Sequence, residues 1–225
     1  AVGGDGTFTG ANIFYEEYGI PIVGAPGTID NDLYGSDYTI GFDTAVNTAL
    51  DAIDKIRDTA NSHDRVFFIE VMGRHSGYIA IQSGIGGGAE MVMVPETSTT
   101  INDVINTLRE GRDKQKTSSI VVVAEGGEQG DAHEIAGKVS KEIPELDIRV
   151  STLGHIQRGG SPTSYDRILS SRLGMAAVEG LVNGEKNVMV GVVNDKITFT
   201  SFKLAISKAK PINQELMRLV EILSI

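Results

Sequence analysis

Residues 24 to 32 read GAPGTIDND and place two carboxylates, Asp30 and Asp32, on alternate positions of a turn opened by glycines and a proline. The run before it, Ile20-Pro21-Ile22-Val23, is short, apolar and β-branched, and predicts a buried strand with the acids at its carboxyl end. In open α/β sheets that edge is where ligands bind. A solvated turn accounts for the same residues, since Asp and Asn favour turns by bonding their own backbone.

Four further polar clusters follow the same rule. Ala1-Val2 leads into GGDGT with Asp5, and the strand predicted at Val66–Ile69 leads into MGRHSG with Arg74. The run Ile120–Val123 leads into EGGEQG with Glu125, and Ile148–Leu153 into GHIQRGG with His155 and Arg158. Carboxylates, cations and one histidine at strand ends match the needs of phosphoryl transfer. That reaction takes a Mg²⁺ held by carboxylate oxygen, backbone that comes close to phosphate, a base for the attacking hydroxyl, and cations for the moving charge. Gly3, Gly4 and Gly6 leave phosphate room beside the backbone, and Asp5 offers the carboxylate.

The elements that position these groups are read from periodicity. Met91–Val94 and Val188–Val193 are further strands. Phe42, Ala45, Val46, Ala49, Ile53 and Ile56 form a helix stripe, as do Ile101, Val104, Ile105 and Leu108, and Ile168, Leu169, Leu173, Ala176, Ala177 and Val178. Thr100 and Ser164 are the expected N-caps. The alternation predicts an α/β architecture with largely parallel sheets. The glycine clusters GGDG, GAPG, GGG (86–88), EGGEQG and RGGS are expected as loops after strands.

Composition narrows the partners. The formal net charge is −10, which argues against non-specific nucleic-acid binding, since phosphate backbones are held by clustered Lys and Arg. No run approaches a membrane span, and the absence of cysteine excludes a disulfide scaffold and fits a reducing cytoplasm. The chain opens directly on a strand tail, so the expectation is that it is the later part of a longer protein.

GGDGT (3–7), PGTIDNDLYGSDYTIGFDTA (26–45), EVMGRHSG (70–77) and LGHIQRGGSPTSYDR (153–167) resemble the signature motifs of the 6-phosphofructokinases, in that family's order. The resemblance implies two Rossmann-like doubly wound parallel-sheet domains, the first incomplete: a nucleotide-binding one over 1–41 and 158–205, and a fructose 6-phosphate-binding one over 42–157 and 206–225. It further implies a catalytic set of Asp30, Thr28, Asp32 and Arg74, with Asp30 as the base for the sugar 1-hydroxyl. Gly4, Asp5, Gly6, Thr7 and Gly10 match the MgATP contacts, Asp5 being the metal ligand. Met72, Gly73, Arg74, Glu125, His155 and Arg158 match the sugar-phosphate contacts, and Arg65 and Arg149 match arginines supplied by a neighbouring subunit of a homotetramer. Arg65 precedes its strand, so it starts at the opposite end from Arg74. Arg57, Glu90, Lys114 and Lys116 match an effector site for ADP or phosphoenolpyruvate.

Taken singly, Met72 reads as core filler, His155 as a structural histidine, and Lys114-Gln115-Lys116 as a solvated turn. His63, His75 and His133 show no ligand spacing and read as structural. The expected activity is ATP-dependent phosphorylation of fructose 6-phosphate in the cytoplasm. A pyrophosphate-dependent enzyme and a non-catalytic sugar-phosphate-binding module are the alternatives. Family members using pyrophosphate carry Asp and Lys where this chain has Gly6 and Gly27, so the two glycines favour ATP. A Mg²⁺-dependent phosphatase would need a positioned water, for which no motif is seen.

Overall fold

The computed structural model describes residues 1–60, 65–114 and 118–223. The chain divides into two units, Ala1–Thr44 with Ser161–Pro211, and Ala45–Gly160 with Ile212–Ile225. These crossings fall a few residues later than the boundaries expected after 41, 157 and 205.

In the first unit, β1 (Val2–Gly3) pairs in parallel with β2 (Val23–Pro26), and β2 pairs in parallel with β7 (Val188–Val193). An antiparallel strand, β8 (Lys196–Ser201), closes the order β1-β2-β7-β8. Alternate residues of these strands face two apolar clusters. Val23, Ala25, Val190 and Val192 pack on Leu169, Leu173 and Ala176 of α6 (Ser164–Val182). Met189 packs with Phe8 and Ala11 of α1 (Asp5–Tyr18) and Phe202 and Ala205 of α7 (Phe202–Ser207). Helices thus cover both faces of the sheet.

The expected strand at Ile20–Val23 begins three residues later. Gly19 ends α1 in the left-handed region at φ 65°, Ile20 is exposed, and Pro21 has no N–H to give a ladder. GAP of the GAPG cluster is therefore strand, not loop. Gly24 is required there because a Cβ would sit 2.4 Å from the Phe8 ring and 2.6 Å from that of Phe202. The β7–β8 hairpin was not expected either. Its turn residues Asn194 and Asp195 take φ of 50° and 60°, the paired left-handed geometry that suits a two-residue turn, and Asn-Asp between two β-rich runs is its sequence signal.

In the second unit β3 (Arg65–Val71), β4 (Met91–Met93), β5 (Ser119–Ala124) and β6 (Asp147–Thr152) are all parallel, in the order β4-β5-β3-β6. Val66, Phe68, Val121 and Val123 pack on Val104, Ile105 and Leu108 of α4 (Ile101–Asp113) and on Ile135, Ala136 and Val139 of α5 (Ala132–Glu142). The expected helix over 42–56 is α2 (Phe42–Ala60). α3 (Tyr78–Gly86) and α8 (Gln214–Leu223) complete the described α-helices. The GGG run is the end of α3 and the turn after it, not a loop after a strand. Thr100 caps α4 through a capping box with Asp103, as its sequence predicts.

The cap of α6 is Thr163 instead of Ser164. Its Oγ1 accepts from the Asp166 N–H at 3.2 Å and donates to Asp43, while its own N–H reaches Thr44 Oγ1 at 3.2 Å. Asp166, 3% exposed, in turn accepts from the N–H groups of Gly41 and Thr44, both at 2.9 Å, and from the Thr44 hydroxyl. One buried carboxylate from α6 therefore satisfies the start of a helix more than a hundred residues earlier in the chain, which explains why the first turn of α2 belongs to the first unit. Replacing Asp166 by Ala removes the acceptor that serves two N–H groups and a hydroxyl. The expected cost is about 3 kcal/mol or more, read as a lower urea midpoint, with Asp166→Asn losing less because it keeps one acceptor.

Candidate active site

In the first unit the expected glycine loop is instead the start of a helix. β1 ends at Gly3, Gly4 is the N-cap, and Asp5, Gly6, Thr7 and Gly10 stand on α1. The turn from strand to helix is immediate because Gly3 has no side chain; a Cβ there would lie 2.1 Å from Thr7 Oγ1. No side chain caps Gly4, and Asp5 in the first turn of α1 is exposed. A helix start of this kind favours negative charge.

The TIDND loop lies beside it. The position of a Cβ on Gly4 is 3.4 Å from Thr28 Cβ, and the Gly27 N–H bonds the Gly3 carbonyl at 2.9 Å. Thr28 Oγ1 accepts from the Asp30 N–H at 3.2 Å, and the Thr28 carbonyl accepts from Thr39 Oγ1 at 2.6 Å. Asn31 takes φ 52° and is 1% exposed; its Nδ2 donates to the Asp37 carbonyl at 3.1 Å. This kink separates the acids. Asp30 is buried at 4% exposure and Asp32 half-buried.

In the second unit three loops leave neighbouring parallel strands at one edge. The central strand β3 anchors both flanking loops: its Val71 carbonyl accepts from the Glu125 N–H at 3.0 Å, and its Glu70 carbonyl from the Leu153 N–H at 3.0 Å. Met72, Gly73 and Arg74 follow β3, Glu125 follows β5, and His155 and Arg158 stand exposed on a 3-10 helix, Gly154–Arg158, after β6. These six expected residues stand on loops at one edge of the sheet.

Glu125 organises this edge. Its Oε1 accepts from the N–H groups of Gly73 at 3.1 Å and Arg74 at 2.8 Å, which fixes a turn in which Arg74 has φ 54° and Gly73 φ 154°. Gly73 is obligatory, because a Cβ would sit 2.2 Å from the Ser76 carbonyl oxygen. Sequence reasoning missed Gln157. It is 1% exposed, and its Oε1 accepts from the Met72 N–H at 2.9 Å, tying the loop after β6 to the loop after β3. A glutamine between exposed residues in GHIQRGG gave no periodic signal for burial.

Arg65 and Arg149 lie elsewhere in the second unit. Arg65 begins β3, roughly 23 Å of extended chain before Met72, whereas Arg149 is the third residue of β6, about 13 Å before Leu153. They share one carboxylate: Arg65 Nε is 2.9 Å and Arg149 Nε 3.0 Å from Asp147 oxygens. The Arg65 hydrogen bond, aided by Arg149, holds the Asp147 carboxyl below its usual range. Of the expected effector residues, Arg57 donates to the carbonyls of Gly87 and Gly88, Glu90 accepts from the Ile120 N–H at 2.5 Å, and Lys114 caps the end of α4. Lys116, like His63, lies outside the described residues.

Residues 1–181 match the family model described as Phosphofructokinase. The ATP-dependent 6-phosphofructokinase of Cytophaga hutchinsonii is 60% identical over 221 residues, covering 98% of this chain and 67% of the relative. The chain belongs to the phosphofructokinase family. The ATP-dependent 6-phosphofructokinase 1 of Thermus thermophilus is 57% identical over 225 residues, covering 100% of this chain and 70% of the relative. A solved phosphofructokinase from Saccharomyces cerevisiae superposes with TM-score 0.84 at 30% identity, covering 99% of this chain and 32% of the yeast chain.

Glu125→Ala removes the acceptor from two adjacent N–H groups in a left-handed turn. Amide exchange at 73–76 is expected to accelerate at least about tenfold, measured by mass spectrometry, with little change in the core strands.

Proposed function

We propose that this chain catalyses phosphoryl transfer from MgATP to the 1-hydroxyl of fructose 6-phosphate, giving fructose 1,6-bisphosphate and ADP. The observation that carries the reading is the adjacency of the uncapped α1 start to Thr28, which sets a phosphate-compatible helix end against a loop holding a buried Asp30. Relatives up to 60% identical are named ATP-dependent 6-phosphofructokinases, which supports the same reaction.

In this reading Asp30 removes the proton of the sugar 1-hydroxyl. The oxygen attacks the γ-phosphorus as its bond to the ADP oxygen breaks. Thr28 lies beside the moving phosphoryl group, and Asp32 supports the base. Arg74 supplies a cation for the developing charge, while Met72, Gly73, Glu125, His155 and Arg158 hold the sugar phosphate. Gly4, Gly6, Thr7 and Gly10 line the nucleotide phosphates. Asp5, one exposed carboxylate at a helix start, fits a Mg²⁺ that takes most of its ligands from phosphate and water, and the ion would offset phosphate charge when bound.

The two glycines that argue for ATP differ in kind. Gly27 has a packing reason, since its Cβ would lie 3.1 Å from Val2 Cγ1 and 3.4 Å from the Gly3 nitrogen. At Gly6 a Cβ meets no heavy atom within 4 Å among the described residues. The fold leaves room there, so Gly6 carries the argument for a nucleotide.

The family resemblance extends the proposal to assembly and control. Arg65, at the start of β3, and Arg149, joined to it through Asp147, complete the sugar-phosphate site of a neighbouring subunit in a homotetramer. Arg57, Glu90, Lys114 and Lys116 take ADP or phosphoenolpyruvate as effector. The protein works in the cytoplasm; no described helix is long and apolar enough to cross a membrane.

Assays with fructose 6-phosphate and either ATP or pyrophosphate test the reading. ATP turnover is expected, and Gly6→Asp should raise the half-saturating ATP concentration at least about tenfold without lowering the melting temperature, because it adds charge in open space. Turnover with pyrophosphate alone would overturn it. Asp30→Asn is expected to lower kcat by at least ~10² while fructose 6-phosphate half-saturation stays within a few fold.

A further inference from the structure

The segment after α7 lies against the acidic loop of the first unit. The Tyr34 N–H bonds the Ala205 carbonyl at 3.1 Å. Lys208 Nζ lies 4.0 Å from the centroid of the Tyr34 ring and 2.9 Å from its hydroxyl. Two residues on, Lys210 Nζ donates to the Asp37 carbonyl at 2.8 Å. That carbonyl also takes the Asn31 Nδ2 bond at 3.1 Å, so the lysine and the residue between the two acids share one acceptor.

We propose that Lys210 is a positioning residue for phosphoryl transfer: through the Asp37 carbonyl it shares with Asn31, it holds the kink between Asp30 and Asp32 and sets a cation beside Asp32. The inference rests on the function proposed above.

Three properties support it. The loop gathers Asp30, Asp32 and Asp37 within eight residues, a repulsive set that a nearby cation offsets. Asp37 is held in place independently, its N–H on the Val192 carbonyl at 2.7 Å and its Oδ2 on the Asn194 N–H at 2.7 Å, so it is a firm point to pull against. Lys210 interacts electrostatically with both Asp37 and Asp32; burial lowers its pKa to about 8, and the two carboxylates oppose that shift. The charged and titratable groups at the loop include these three acids, Tyr34 and Tyr38, with Lys208 and Lys210 after α7 and Tyr165 of α6, which interacts electrostatically with Asp37 and is in ring contact with Tyr38. β7 and its turn meet Asp37 through the Val192 carbonyl and the Asn194 N–H.

The test compares wild type with Lys210→Met and Lys210→Arg. Asp30 acts as a base only when ionised, and Lys210 is charged throughout the acid range, so removing the cation disfavours the ionised base. The acid limb of the kcat profile is therefore expected to move to higher pH by about half a unit in Lys210→Met, with kcat at its plateau down about tenfold and fructose 6-phosphate half-saturation within a few fold. Lys210→Arg, which keeps charge and donor, is expected to stay near wild type in the position of that limb. A Lys210→Met profile that coincides with wild type overturns the proposal.

Amide exchange over 31–37 supplies a readout that does not depend on turnover, and it should be faster in Lys210→Met than in wild type at matched pH. If wild type turns over neither donor, the functional reading fails by itself. Unchanged exchange then overturns the loop-holding role of Lys210 separately.

Discussion

Parallel pairing is the constraint on which the rest depends. When β5, β3 and β6 run in one direction, their carboxyl ends share an edge, and every loop that follows opens there. The last carbonyls of β3 have no further strand to bond. They take the N–H groups of Glu125 and Leu153 instead, so the first residues of the flanking loops are held by the same ladder that makes the sheet. The first unit repeats the arrangement with β1 and β2, whose register joins Gly3 to Pro26 and brings the start of α1 against Thr28.

Such an edge leaves backbone donors to satisfy, and side chains from distant loops do it. Glu125 serves the turn after β3, Gln157 serves Met72, and Asp166 serves the first turn of α2. Each is an acceptor placed on a donor that would otherwise be left unmet, which costs more than the bond itself gains. Hydrogen bonds also hold backbone in uncommon conformations, Arg74 through Glu125 and Asn31 through the Asp37 carbonyl. Arg74 and Asn31, both non-glycine, sit at φ 54° and 52°, and each flanks a residue with a proposed chemical role.

The basic side chains differ in what holds them. Arg65 and Arg149 are paired through Asp147 at the amino edge of the second sheet, and Arg57 is tied to two backbone carbonyls at the end of α3. His155 and Arg158 stand exposed on their short helix. Lys208 and Lys210 follow α7 at the end of the first unit, far in sequence from the Tyr34 and Asp37 that they meet, and tie the acidic loop to the chain that leaves that unit.

Much of this was legible in the chain. Helical stripes at 42–56, 101–108 and 168–178, the Thr100 cap, and strands at 66–69, 91–94, 120–123 and 188–193 follow from apolar periodicity, a local property. The polar clusters at strand ends, and the family they resemble, are equally local, since each motif is a short run. What the chain did not reveal depends on partners far along it. Gly24 belongs in a strand because two rings, Phe8 and Phe202, need its missing Cβ. GGDGT is a helix start because Gly3 lets Thr7 close over it. Asp166, Gln157 and Lys210 look like ordinary polar surface residues until the fold brings them to Thr44, Met72 and Asp37. Periodicity reports which face of an element is apolar; which distant backbone group a single side chain will satisfy is decided only when the strands have paired.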